Sequence, residues 1–253
     1  MFNYYREQKI LEILKAKPNI RVSELSDSLQ VSEATIRRDL NRLQGVGKIK
    51  RVHGGAVLFE KAAPEPPVVL RGADQADEKK RIGRAAVQLI SPGETIFIGS
   101  GTTTEAFARN LVGRKDISII TNSLLIISIL AQEAELPIIS TGGLLRISEL
   151  SFIGHLTEQA LQELRPNKVF MSIRAISLVG GLTNDYMPEV STDRVIIQSA
   201  PEVVLLADHT KFNKISTAFV APLSAVHTVI TDIGTPGDIR SSLQELGVRV
   251  IAV

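Results

Sequence analysis

Two groups of side chains carry residue types and spacings suited to chemistry. The first is Gly99-Ser100-Gly101-Thr102-Thr103-Thr104, which follows an apolar run and opens a helical one. Glycines let a backbone approach a ligand closely, and helix-start N–H groups and hydroxyls donate hydrogen bonds. Together they make an anion cradle, most naturally for phosphate. The same residues also make an ordinary strand-to-helix turn with a threonine cap. A dinucleotide fingerprint needs a third glycine and an acid about 20 residues on. Neither is here, since Thr121-Asn122 stands at the acid's place, and there is no Walker A lysine. Thr121-Asn122-Ser123, Thr141-Gly142-Gly143 and Asp208-His209-Thr210-Lys211-Phe212 end further apolar runs. Lys211 suits a phosphate and Asp208 a sugar hydroxyl. Caps for the first two, and a surface salt bridge for the last, are the plainer alternatives. The argument for a pocket is convergence of these loops at one sheet edge.

The second group lies on one predicted helix, residues 32–44. Ser32 is its expected N-cap, Val31 can staple to Ile36, and Glu33 suits the first turn. Ile36, Leu40 and Leu43 line one face. At 100° per residue, Thr35, Arg38 and Arg42 fall opposite, with Ala34 and Asn41 flanking and Arg37 pointing less directly outward. In a major groove, Arg can fork onto guanine and Asn onto adenine, while Ser32 and Thr35 suit phosphate oxygens. Lys48, Lys50, Arg51 and His53 lie on a following hairpin and suit phosphate or minor-groove contacts. A solvated basic face on an amphipathic helix is the competing interpretation.

Elements must hold these groups in place. Residues 4–16 read as a helix ended by Lys17-Pro18-Asn19, and Ser23 as the cap of a short second helix with Leu25 and Leu29 inside. Gln30-Val31 turns into the third helix, and residues 48–53 with Gly54-Gly55 make a hairpin. This is helix-turn-helix grammar with a wing. Pro64, Pro66 and Pro67 mark a stiff, extended connector, part of which can pack through Val68, Val69 and Leu70. Beyond it, helices are expected at 77–89, 105–111, 124–131, 157–164, 194–199 and 238–246. Strands are expected at 95–98, 117–121, 137–140, 169–171, 203–207, 226–231 and 248–253. Such alternation implies an α/β domain with a mostly parallel sheet. The expected division is a DNA-binding head at 1–57, a linker at 58–74 and a body at 75–253.

Composition agrees. The 253 residues are 44% apolar with no Cys, which excludes a disulfide framework, a Cys-ligated zinc and a thiol nucleophile. The four histidines are scattered, and neither a metal site nor a cofactor is expected. No run approaches 18 apolar residues and no apolar signal segment opens the chain, so a cytoplasmic protein with no membrane partner is expected. Residues 1–60 hold 11 Lys/Arg against 7 Asp/Glu, while the remainder holds 18 against 20. A basic head on a mildly acidic body hints at a nucleic-acid partner.

Three stretches in the head, Arg21-Val22-Ser23-Glu24-Leu25, Val31 through Leu40, and Arg51-Val52-His53-Gly54-Gly55-Ala56, together resemble the DeoR family of bacterial sugar-catabolism regulators. The resemblance extends through Glu78-Lys79, the Ser100-Gly101-Thr102-Thr103 loop, Thr121-Asn122-Ser123, Thr141-Gly142-Gly143, Gly181-Leu182-Thr183 and Ala207 to Phe212. It implies a winged helix-turn-helix on operator DNA, usually as a repressor, and an effector domain resembling the sugar-phosphate isomerase fold that senses a phosphorylated sugar. Since two operator half-sites multiply affinity, a homodimer or homotetramer is expected, and no enzymatic activity. Two departures stand out. The family often has Asp where Gly99 stands, and glycines where Ser172 and Ala175 stand. Arg174 is then an unusual cation, suited to a carboxylate or second phosphate, or to pairing with Asp185 or Glu189. A sugar-phosphate isomerase or deaminase with a DNA-binding head is the rival reading, with Asp208, Glu189 or Asp185 as base. A nucleotide- or redox-sensing repressor is a third, opposed by the imperfect glycine pattern.

Overall fold

The structure, a computed structural model, describes residues 2–16, 19–45, 49–52, 55–58, 60–61 and 65–253. The chain divides into a unit of residues 1–61 with 213–215, and a unit of residues 62–212 with 216–253.

In the first unit, α1 (Phe2–Ala16), β1 (Asn19–Arg21), α2 (Val22–Leu29) and α3 (Glu33–Gly45) precede the hairpin β2 (Ile49–Val52) and β3 (Gly55–Leu58). Ile10, Leu14, Leu25, Ile36, Leu40 and Leu43 share one buried core, as their helical spacing requires. Two local expectations are corrected. The chain after α1 is not merely a break, because Asn19–Arg21 pairs antiparallel with β3 and makes the sheet order β1-β3-β2. Gly55 belongs to that strand, where a Cβ would sit 2.2 Å from the Ile20 carbonyl oxygen. Nor does Ser23 cap α2. The helix starts one residue before it, and the Arg21 N–H donates to the Glu24 carboxylate at 3.2 Å. Gln30 makes the tight turn in a left-handed conformation, φ 51°. Ser32 does cap α3, accepting the Thr35 N–H at 3.3 Å. The two residues of β4 (Glu60–Lys61) pair in parallel with Lys214–Ile215.

The second unit runs α4 (Ala76–Val87), β5 (Thr95–Ile98), α5 (Thr102–Ala108), β6 (Ser118–Thr121), α6 (Leu124–Leu130) and β7 (Ile138–Ser140). A hairpin of β8 (Leu144–Arg146) and β9 (Ser151–Ile153) leads to α7 (His155–Glu163) and β10 (Lys168–Met171). Then come β11 (Ala175–Ser177), β12 (Gly181–Asn184), α8 (Met187–Gln198) and β13 (Glu202–Leu206). After β14 (Lys214–Ile215), which belongs to the first unit and pairs with β4, the second unit ends with β15 (Ala218–Ala221), β16 (Thr228–Thr231), α9 (Gly237–Glu245) and β17 (Arg249–Ala252).

Seven strands form one sheet in the order β17-β16-β13-β10-β5-β6-β7, parallel at every pairing. Its strands are apolar on both faces because both are covered. Ile96, Ile98, Phe170, Val204 and Leu206 meet Ile82, Phe107 and Ile126 of the helices on one side. Phe97, Val169, Met171, Val203 and Leu205 meet Leu161, Ile196, Ile239 and Leu243 on the other. The expected strands all form, with ends moved by a residue or two. The helix expected at 194–199 begins seven residues earlier, at Met187, with Pro188 in its first turn, where no helical N–H is lost. Its polar Glu189, Ser191, Thr192 and Asp193 hid the apolar period. The short strands β8, β9, β11, β12 and β15 were not foreseen. Of the proline-rich connector, residues 65–71 lie on this unit: Val68 is buried and its N–H donates to the Ser148 carbonyl at 2.7 Å, while Val69 and Leu70 are exposed.

Helices α4 and α5 are in close contact at Gly83, where a Cβ would lie 2.8 Å from the backbone of Ala106 and Phe107. Alanine gains about 1 kcal/mol of helix propensity over glycine, but backbone overpacking costs roughly 1–3 kcal/mol. The clash should therefore win. Gly83→Ala is expected to lower the urea midpoint, and an unchanged or raised midpoint would show that the two helices can separate freely.

Candidate functional site

Two sites emerge, one in each unit. On α3, Ile36, Asp39, Leu40 and Leu43 are buried and Ala34, Arg37, Arg38, Asn41 and Arg42 are exposed. Ser32 is exposed and Thr35 half-buried, their hydroxyls 2.9 Å apart. Arg37 pairs with Glu33 one turn back at 2.9 Å, and Arg42 with Glu7 of α1 at 3.0 Å. Arg38 has no ion pair or hydrogen bond among the described residues, which leaves its five donors for a partner. Asp39, absent from the candidates, is the brace: it is buried and accepts from the Arg6 guanidinium, with one bond of 3.1 Å. That contact fixes the roll of α3 on α1 and so decides which residues face outward. Lys48 and His53 lie outside the described residues, and only the backbone of Lys50 and Arg51, in β2, is described.

The second site follows from strand order. The strands β5 and β10 are neighbours, but the chain leaves β5 toward β6 on one side and β10 toward β13 on the other. Such a switch point opens a crevice beyond the carboxyl ends of the strands. The Gly99 N–H donates to the Phe170 carbonyl at 2.9 Å, and the two chains then separate. Ser100, Gly101, Thr102 and Thr103 line the cleft from one side, and Ser172, Ile173 and Arg174 from the other. Gly101 has φ +128°, and a Cβ there would lie 3.3 Å from that of Ser172, so both backbone conformation and space call for glycine.

Lys211 and Arg174 also line this cleft, so six of the expected binding residues meet there. The others do not line it. Thr104 is fully buried and donates to the Gly101 carbonyl at 2.9 Å. Thr121 donates to the Ile98 carbonyl at 2.6 Å, Asn122 to the Phe152 carbonyl at 3.1 Å, and Ser123 accepts the Ile126 N–H as the cap of α6. The Gly142 carbonyl accepts from Thr157 at 2.6 Å, and Gly143 packs where a Cβ would strike that same hydroxyl. Asp208 accepts the Thr210 N–H at 3.0 Å and caps a short turn. These polar groups are used to hold loops, because short hydroxyl and amide side chains at strand ends find backbone partners first.

The sequence reading missed the charged half of the cleft. Glu65, Arg71, Arg146, Glu149, Asn184 and Asp193 line it, with Glu189 beside them. Arg71 binds Glu65 at 2.6 Å and also Glu149. Arg146 binds Glu189 and stacks over the Tyr186 ring at 4.2 Å. Arg174 binds both Glu65 and Asp185 at 3.3 Å, and Lys211 binds Glu65 at 2.7 Å. Arg174 thus takes Asp185, one of its two expected partners, while Glu189 goes to Arg146. Helical periodicity gives no sign of such pairs, which join residues up to 146 apart in sequence. Behind the cleft, the Lys79 ammonium is buried and donates to the carbonyls of Arg71, at 2.9 Å, and Asp74. Burial holds it below the usual lysine range despite Asp208 nearby.

Asp193 is the most perturbed group. Burial, and then the Glu189 charge, push its carboxyl well above the usual range, against the Asn184 amide and Arg146. Asn184 donates to it at 2.8 Å. Burial likewise raises the Glu149 carboxyl, although Arg71 opposes the shift.

Comparison with known proteins follows this division. Residues 6–62 match the DeoR-like helix-turn-helix domain, and residues 74–233 match the DeoR C terminal sensor domain. An uncharacterized HTH-type transcriptional regulator of Bacillus subtilis (strain 168) is 33% identical over 98% of this chain and 96% of its own. A putative aga operon transcriptional repressor of Escherichia coli O157:H7 is 32% identical over 98% and 93%. The glycerol-3-phosphate regulon repressor of Escherichia coli (strain K12) is 34% identical over 95% of both chains. Among solved structures, ribose 5-phosphate isomerase A of Methanocaldococcus jannaschii aligns over 55% of each chain with 20% identity and a TM-score of 0.41.

A carboxyl raised by folding stabilises the native state when protonated and loses that contribution as pH rises from the unfolded toward the folded value. Asp193→Asn keeps the shape and removes the charge. It is expected to raise the melting temperature at pH 7, with the gain shrinking as pH falls from there and lost below the ordinary aspartate value near ~4. A lower melting temperature at pH 7 would show that the Asp193 charge is compensated.

Proposed function

Because the chain belongs to the DeoR family of transcriptional regulators, we propose that it represses a carbohydrate-catabolic operon and that a phosphorylated sugar held in the charged cleft sets its operator affinity. The observation that carries the sensing half is the cleft itself. Four cationic side chains, Arg71, Arg146, Arg174 and Lys211, meet a glycine- and hydroxyl-lined loop at the sheet's switch point. Guanidinium forks and hydroxyl donors suit phosphate oxygens. The acids and amide opposite, Glu189, Asp193 and Asn184, suit sugar hydroxyls. One of the relatives is named the repressor of a glycerol-3-phosphate regulon, and glycerol 3-phosphate is a small phosphorylated polyol. The relatives are named regulators and repressors rather than enzymes, and Glu189 and Asp185 bind arginines while Asp208 caps a turn.

For the DNA-binding half, α3 is the recognition helix, with Arg38 and Asn41 toward base edges and Ser32 toward phosphate. The working division is a head of residues 1–57, a connector of 58–74 and a sensor of 75–253. Two heads on a repeated or palindromic operator, supplied by a homodimer or homotetramer, multiply a modest affinity. Effector and operator then share a coupling free energy, typically ~1–3 kcal/mol, which is reciprocal by linkage. Among the described residues no helix is long and apolar enough to cross a membrane.

Two measurements test this reading. Arg38→Ala should cost about 1–3 kcal/mol of operator discrimination with helicity unchanged, read as the ratio of specific to nonspecific binding at fixed salt; a full ratio in the variant would reassign the recognition face. Lys211→Ala should retain operator binding and blunt its release by sugar phosphates. In parallel, a thermal-shift screen of phosphorylated sugars, free sugars and nucleotides should give a selective rise with one sugar phosphate. A rise with a nucleotide alone would transfer the cleft to a different ligand class.

A further inference from the structure

We propose that Glu65 is an internal ligand of the cleft, and that an anionic effector binds by displacing it, which frees the segment that leads to the DNA-binding head. This rests on the cleft being the sugar-phosphate site.

One carboxylate oxygen of Glu65, Oε1, receives three cations: Arg71 at 2.6 Å, Lys211 at 2.7 Å and Arg174 at 3.3 Å. The Glu65 side chain is only 12% exposed. All three cations line the cleft beside the Ser100–Thr103 loop, so the place best suited to an incoming anion already holds one. Burial works against the Glu65 charge, but Lys211, Arg71 and Arg174 outweigh it and hold the carboxyl below the usual range.

Three of the four cations that line the cleft, Arg71, Arg174 and Lys211, are held by Glu65, and the fourth, Arg146, is held by Glu189. A phosphate that enters the cleft meets cations already bound to carboxylates, so it competes with a carboxylate for them. Glu189 is tied further, by the Ser151 hydroxyl at 3.0 Å and Asn184 at 3.3 Å. Asp193 accepts from Asn184 and feels the Arg146 charge, and Glu149 binds Arg71. Glu65 binds all three of Arg71, Arg174 and Lys211 and lies in no helix or strand. A phosphate brings about −1.5 to −2 charge and three acceptor oxygens where Glu65 offers one charge. Exchange therefore favours a phosphate over Glu65, and Glu65 over a neutral sugar.

The position of Glu65 in the chain gives the exchange a consequence. From Val68 onward the segment is anchored, by the buried Val68 side chain, its N–H bond to Ser148, and Arg71 on Glu149. Before Val68 are Pro66 and Pro67, which cannot donate, and among the described residues the hydrogen bonds and ion pairs of Glu65 are those to its three cations. The carboxylate is thus the fastening of the segment's first end, and the diproline between it and the anchored Val68 is a stiff arm that turns as one piece when that fastening is lost.

The test uses the full chain with inorganic phosphate and a panel of sugar phosphates at fixed ionic strength. Glu65→Gln is expected to bind phosphate about tenfold or more tightly than the wild type, measured by calorimetry, and to bind operator more weakly without any effector. In the wild type, a bound sugar phosphate should speed amide exchange across residues 65–71. If the wild type binds a sugar phosphate but exchange there is unchanged, or a folded Glu65→Gln binds phosphate no better, the displacement is overturned and the sensing role stands. If neither protein binds any sugar phosphate, the sensing role is overturned and the displacement with it. Exchange in the wild type decides the matter even if the variant fails to fold.

Discussion

The pairing of β5 with β10 is the constraint on which the sensor unit depends. Both strands are buried on both faces, so their side chains have no freedom to turn toward solvent, and helices must cover each side. Phe107 and Phe170 meet at 4.7 Å between ring centroids, which fixes α5 against the sheet immediately below the cleft. The last bond of the pair, from Gly99 to Phe170, is also the lip of the crevice. An apolar centre therefore sets where the polar residues of two loops meet, although those loops share no sequence neighbourhood.

Charge in this molecule is placed where it controls position. Asp39 is buried in the head, and it is satisfied by Arg6, which couples α3 to α1. In the sensor, Arg71 stands between Glu65 and Glu149, and Lys79 closes the turn behind it by donating to two carbonyls. Removing one member of such a buried pair leaves the other unpaired, which costs far more than the pair itself contributes. The cleft is therefore a mutually dependent set, and a ligand that takes over one partner alters the position of the rest.

The legibility of the fold follows from period. The alternating apolar runs from Thr95 to Ala252 announced the parallel sheet, and the stripe of Ile36, Leu40 and Leu43 announced α3, because both record a regular burial pattern. Helix α8 was half hidden because its first two turns carry Glu189, Thr192 and Asp193, polar groups that are buried for the sake of the cleft. The short strands β1, β8 and β9 have no room for a period. For the candidate site, local motifs pointed to Ser100 through Thr103, which act where they stand in sequence. They pointed equally to Thr121, Asn122, Ser123 and Asp208, whose side chains are taken by nearby backbone. Glu65, Arg71 and Arg146 escaped notice because only the folded chain brings them together.

The strand order also sets a timetable for the nascent chain. The contacts of α1, α2, α3 and the β2–β3 hairpin are local, and such structures form early and fast. The central pairing of the sensor joins Ile96 to Lys168, and the outer strand β17 finds its place beside β16 only when residues 249–252 exist. A chain made from its N-terminus acquires a DNA-binding surface long before it acquires a closed sensor. During that interval the apolar edges of β10, β13 and β16 await their partners, so synthesis truncated late in the chain would leave a DNA-binding head joined to an aggregation-prone remnant.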